Sequence, residues 1–194
     1  MRVLILCLMM IALVAVSGCA QTGERQENAA EEIKGEKVNI SSGSLSYPSY
    51  LAAPGKEGVW PGVVMIHSFN GLEPGYLSLA NRLAEEGYVV IAPEWQTFNR
   101  TPSDDTLGQL IQDCSALLQD RDDVQADKLG LTGFCAGGRY TMLFLPRMNQ
   151  TFRSGVAWYG FPYSGGFLNE SRPVQFIDQL DDPLLIIHGT YDVP

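Results

Sequence analysis

The run Leu129-Gly130-Leu131-Thr132-Gly133-Phe134-Cys135-Ala136-Gly137-Gly138 constrains this chain more than any other feature: an apolar strand pattern breaks at glycines, and a helical pattern begins at once. Free cysteines are usually buried and glycine costs conformational freedom, so a cysteine with glycine two positions before and two after needs a reason. A sharp strand-to-helix elbow supplies one. Such a turn strains the backbone of its central residue and brings its neighbours too close for side chains. The thiol is then held at a helix N-terminus, where unpaired N–H groups favour the nucleophilic thiolate. The pattern therefore points to Cys135 as a nucleophile.

The surrounding sequence has the period of an α/β protein. Residues 62–67 (Gly-Val-Val-Met-Ile-His) form a continuous apolar run, as expected of a parallel strand buried on both faces. Further strands are expected at 88–92, 128–132, 154–158 and 184–188. Residues 38–41 and 45–52 alternate around Gly43 and read as an opening β-hairpin. Tyr76, Leu79, Ala80, Leu83 and Ala84 share one helix face before Gly87, placed as a C-terminal cap. Leu107, Leu110, Ile111, Cys114, Leu117 and Leu118 share another, after Asp104 and Asp105, whose charges suit a helix N-terminus. Cys114 is thus a core thiol, and a third helix follows the elbow at 140–145. These elements predict a three-layer α/β sandwich with a mostly parallel sheet and an N-terminal hairpin.

The elbow Gly-Phe-Cys-Ala-Gly-Gly resembles that of the dienelactone hydrolase family, whose members use Cys where most α/β-hydrolases use Ser. The similarity extends to Met65-Ile66-His67-Ser68-Phe69-Asn70-Gly71-Leu72, to residues 88–94 with Glu94 in place of Asp, and to His188-Gly189-Thr190-Tyr191-Asp192-Val193-Pro194. The resemblance implies ester or lactone hydrolysis through a thioester at Cys135, with Asp192 as the triad acid and no cofactor. It also implies an oxyanion hole made by the backbone N–H groups of Phe69 and Ala136. His67, Ser68, Trp95 and Tyr159 are expected to line the site, Trp95 and Tyr159 because they fall just after strand ends, where open α/β sheets bind ligands; a structural place for His67 and core packing for the two aromatics are the alternatives.

Two departures from the family pattern bear on activity. Ser68 stands where the family carries a glutamate thought to help control ionisation of the cysteine. The fold's chain order is nucleophile, acid, histidine, yet no histidine follows Asp192, and His67 and His188 map to positions other than the base. On this reading the domain is incomplete at its C-terminus and its turnover impaired. The alternative is a non-catalytic surface lipoprotein that keeps the fold as a binding module.

At the other end, the apolar run 3–16 is short for a bilayer span and suits the core of a signal peptide, 1–18. It ends Val16-Ser17-Gly18-Cys19, which resembles a lipobox, so Cys19 is the expected lipidation site and the protein is expected at the outer face of the cell membrane. Residues 19–37 are polar and read as a tether, leaving 38–194 as the hydrolase-like domain. A net charge of -9 argues against nucleic acid as a partner and leaves a small ester or lactone as the expected one. The four cysteines fall in unrelated contexts, with no CxxC or Cys/His spacing, so no metal is expected.

Overall fold

The computed structural model describes residues 34–192. The expected signal peptide, Cys19 and most of the tether lie outside the described residues.

Strands β1 (Glu36–Ser42) and β2 (Leu45–Ala52) form the expected hairpin. Its register closes at Ser42↔Leu45, and Gly43 takes the positive φ of 58° that a two-residue turn needs. Five more strands complete the sheet: β3 (Trp60–Ile66), β4 (Val89–Pro93), β5 (Val124–Phe134), β6 (Phe152–Trp158) and β7 (Leu184–Ile187). Their order is β1-β2-β4-β3-β5-β6-β7, antiparallel through β2/β4 and parallel from β4 to β7.

Helix α1 (Pro74–Glu85) packs on one face, and α2 (Asp104–Gln119) and α3 (Ala136–Arg147) pack on the other. Alternation along the strands divides the core accordingly. Val64, Ile66, Val89 and Ile91 join Leu107, Ile111, Cys114 and Leu143, whereas Met65, Val90 and Ala92 join Ala80 and Ala84. Both faces of β3 and β4 are therefore buried, which is why their sequences are apolar without a polar phase. Each Leu or Ile removed from water here contributes about 1.5–3 kcal/mol before entropy is counted.

Local signals set the helix ends. Pro74 opens α1, and Gly87, at φ 94°, closes it: Gly87 N–H donates to Ala84 O, and Tyr88 N–H to Leu83 O. Tyr88 is thus taken up by the cap, and β4 begins one residue later than the periodicity predicts. Ser103 Oγ accepts from Thr106 N at 3.2 Å to cap α2. β5 starts at Val124, earlier than expected, because Val124 and Gln125 pair with Trp60 and Pro61 ahead of a register shift at Pro61/Gly62. On the α1 side, a groove of about 270 Å³ runs between Leu79, Leu83, Thr132 and Val156. β7, at the sheet edge, exposes Leu185, Ile186 and Ile187.

Candidate active site

Strand β3 has β4 on one side and β5 on the other, so the chain leaves β3 and β5 toward opposite faces of the sheet at this point. The crevice beyond such a switch point is where open α/β sheets take ligands. Two segments meet there, the 67–71 loop after β3 and the elbow after β5. Cys135 sits at the elbow with φ 56° and ψ −111°, a conformation that L-residues rarely adopt, and caps α3. Its N–H donates to Trp158 O (2.9 Å) and its carbonyl accepts from Arg139 N (3.0 Å), so neighbouring strand and helix hold the strained residue in place. The glycines answer to close backbone approach. A Cβ on Gly133 would overlap the carbonyl of Gly137, one on Gly137 the carbonyl of Ile66, and one on Gly138 that of Trp158.

Cys135 is exposed, whereas Cys114 is buried, where desolvation pushes its thiol far above the ordinary range. A cleft of about 190 Å³ opens over Cys135 and Ala136, walled by Phe69, Tyr140, Phe161 and Phe167. Phe69 and Phe167 lie ring to ring at 4.3 Å, and the Arg100 guanidinium sits 4.5 Å over Phe69. Among the described residues, no hydrogen bond uses the N–H of Phe69 or Ala136. The structure thus brings Cys135, Ala136 and Phe69 to one cleft.

His67, Ser68 and Trp95 are buried. They are absent from the walls of the cleft. Trp95 stacks on the His67 ring (5.2 Å between centroids) and donates its Nε1–H to His67 O at 3.2 Å. Its large apolar face is stabilised more by the core than by solvent. His67 is fully buried, and burial lowers its pKa to about 4 against the opposing effect of its bond to Ser68, so it is neutral at pH 7. Ser68 Oγ accepts from Asn70 N (3.2 Å) inside the loop.

Tyr159 follows β6 with a positive φ of 41° and remains 37% exposed. Burial, then its neighbours Tyr76, Cys135 and Asp192, raise its hydroxyl to about 12. Asp192 pairs with His188: Nε2 lies 2.9 Å from the Asp192 carbonyl and 3.6 Å from its carboxylate. The His188 ring also meets Phe161, a wall of the cleft, at 5.2 Å. Among the described residues, no hydrogen bond joins either histidine to Cys135.

Sequence reading missed Arg139. This arginine is buried in α3 and forms a two-pronged ion pair with Asp104 (2.9 and 3.1 Å). It also donates to Ser164 O (3.1 Å) and Ser171 O (2.6 Å), while Ser171 N donates to Asp104. Arg139 thereby fixes the segment that carries Phe161 and Phe167 against the elbow. The available signal was a lone charge in the apolar stretch 137–146, all of which is buried.

A seven-stranded, mostly parallel sheet with helices on both faces and a nucleophile-type elbow after β5 defines an α/β-hydrolase fold. The model of the dienelactone hydrolase family matches residues 47–194, and the chain belongs to that family. It is 32% identical over 173 residues to a Salmonella typhimurium protein named "Putative carboxymethylenebutenolidase", covering 80% of this chain and 64% of that protein. A Methylorubrum extorquens protein of the same name is 30% identical over 82% of this chain and 60% of its own length. The chain thus spans under two thirds of these relatives. Among solved structures, a dienelactone hydrolase, so described with the qualifier "Putative", from Klebsiella pneumoniae superposes with a TM-score of 0.71 at 28% identity, over 79% of this chain and 71% of that one. An acylaminoacyl peptidase of Pyrococcus horikoshii, at 16% identity and TM-score 0.63, shares the fold over 82% of this chain and 32% of its own.

Proposed function

We propose that this chain hydrolyses small esters or lactones through a thioester at Cys135. The observation that carries the reading is an exposed cysteine, strained to φ 56° at the start of α3 and opening into a 190 Å³ cleft that is also lined by Phe69 and Ala136, whose N–H groups make no hydrogen bond among the described residues. In the proposed reaction the Cys135 thiolate attacks the carbonyl carbon, and the N–H groups of Phe69 and Ala136 take the negative charge that develops on oxygen. The C–O bond breaks, the alcohol leaves with a proton drawn from solvent, and water then cleaves the thioester to the acid and free thiol. The cleft volume suits a small acyl group, and its aromatic walls favour a flat or unsaturated one.

Asp192 is proposed as the acid of the site. Among the described residues its histidine contact is with His188. Incubation with p-nitrophenyl acetate tests the reading. A stoichiometric burst of nitrophenolate and an acetyl adduct on Cys135, both lost in Cys135→Ala, are expected; ester cleavage that survives Cys135→Ala would refute it. The leader reading is proposed alongside: export, and lipid attachment through Cys19 at the outer face of the cell membrane. Labelled palmitate that enters the wild type but not Cys19→Ala is the corresponding check.

A further inference from the structure

His67 is a polar group that the chemistry of the cleft leaves unexplained. It is fully buried and neutral, its ring is covered by Trp95, and its Nε2 has no hydrogen-bond partner among the described residues. Its other nitrogen is engaged: Nδ1 lies 2.7 Å from the carbonyl oxygen of the next residue, Ser68. A carbonyl only accepts, so Nδ1 carries the proton and Nε2 is left with a lone pair facing no donor. A buried acceptor without a partner is unfavourable, and a phenyl ring would fill the same space without that cost. The position tolerates the loss in return for the Nδ1–H bond.

What that bond fixes follows from peptide geometry. The Ser68 carbonyl and the Phe69 N–H belong to one planar trans peptide and point in opposite directions. Holding the carbonyl toward His67 therefore aims the N–H away from it, and Phe69 is the residue that walls the cleft over Cys135. The preceding peptide is held too, since Trp95 Nε1–H donates to His67 O. A longer turn bond from Gly71 N (3.3 Å) also reaches the Ser68 carbonyl. Gly137 packs against Ile66 O and His67 O, which keeps α3 close to this loop.

We infer that His67 is a positioning residue for the oxyanion hole: its Nδ1–H sets the plane of the Ser68–Phe69 peptide so that the Phe69 N–H faces the carbonyl oxygen of a substrate on Cys135. This inference rests on the thioester reading above. His67 itself touches neither substrate nor sulfur, and it exchanges no proton during the reaction.

The test compares two reactions of the same sulfur. Acylation of Cys135 by p-nitrophenyl acetate passes through an oxyanion, whereas alkylation by iodoacetamide does not. His67→Phe keeps the stack on Trp95 and deletes the donor, and His67→Asn returns an amide N–H near the Nδ1 position. His67→Phe should slow acylation at least about tenfold, below the loss of about 10² to 10³ seen when such a donor is removed outright, and leave alkylation within about twofold. His67→Asn should recover most of the acylation rate. Equal slowing of both reactions, unchanged acylation in His67→Phe, or no recovery in His67→Asn would overturn the assignment. A wild-type ratio of acylation to alkylation equal to that of free cysteine would instead overturn the oxyanion hole, and the role of His67 with it. Nitrogen-15 NMR of the wild-type ring needs no variant: protonated Nδ1 with bare Nε2 is expected, and the opposite tautomer refutes the inference.

Discussion

Breaking the Arg139–Asp104 pair should cost more than any single contact at the surface of this protein. Asp104→Asn keeps the shape and removes the charge, leaving a guanidinium whose side chain is 5% exposed without its counter-ion. Two carbonyls, Ser164 O and Ser171 O, still accept from it, but neither neutralises it. Removing one partner of a buried pair costs about 3–5 kcal/mol, a large share of the roughly 5–15 kcal/mol that holds a domain together. Urea unfolding followed by tryptophan fluorescence measures the loss directly. The double variant Asp104→Leu/Arg139→Met removes both charges and should lose less than Asp104→Asn alone, because no unpaired ion remains. It still loses two donors to the 164–171 segment, so its cleft should be cut faster by protease than the wild type's. A loss below about 1 kcal/mol for Asp104→Asn, or a double variant equal to the sum of its singles, would show that the pair is solvated and the reasoning wrong.

Three further outcomes follow from the same geometry. Gly137→Ala should destabilise by about 1–3 kcal/mol or more and slow acylation of Cys135, since the new methyl meets the Ile66 carbonyl, which is backbone and cannot swing aside; wild-type stability and rate would contradict this. His67 has a folded pKa of about 4 against 6.5 unfolded, so between these values the unfolded chain binds the extra proton. Stability should therefore fall as pH drops from about 6.5 to about 4, by about 3 kcal/mol in all, and His67→Phe should flatten that part of the profile. Iodoacetamide applied to the folded protein should label Cys135 and spare Cys114 until denaturant is added; mass spectrometry of the digest reads both, and early labelling of Cys114 would mean that the α2 face is open.

The elements legible in the sequence were those written as local patterns. The hairpin around Gly43, the doubly buried β3 and β4, and the C-terminal cap at Gly87 all follow from residue types within a few positions of one another. The elbow was legible for the same reason, because the glycines that permit close approach stand beside the cysteine they serve. What could not be read was contact across the fold. Asp104 has the sequence context of a helix-dipole charge, yet its partner is 35 residues away on α3. Trp95 and His67, 28 residues apart, lie at strand ends as lining residues would, but their ring faces meet each other and close off the solvent side. Which side of a strand end a side chain takes depends on packing that one segment does not encode.

The backbone of Cys135 sets two demands against each other. At φ 56° and ψ −111° a side chain of any kind is strained, on the order of 1–3 kcal/mol, and glycine alone adopts the conformation freely. Cys135→Gly should therefore unfold at a higher denaturant concentration than the wild type while losing the sulfur that the cleft is built around. A screen that ranked variants of this protein by melting temperature would choose glycine at 135, and in doing so would select against the one position whose strain holds a thiol out to solvent.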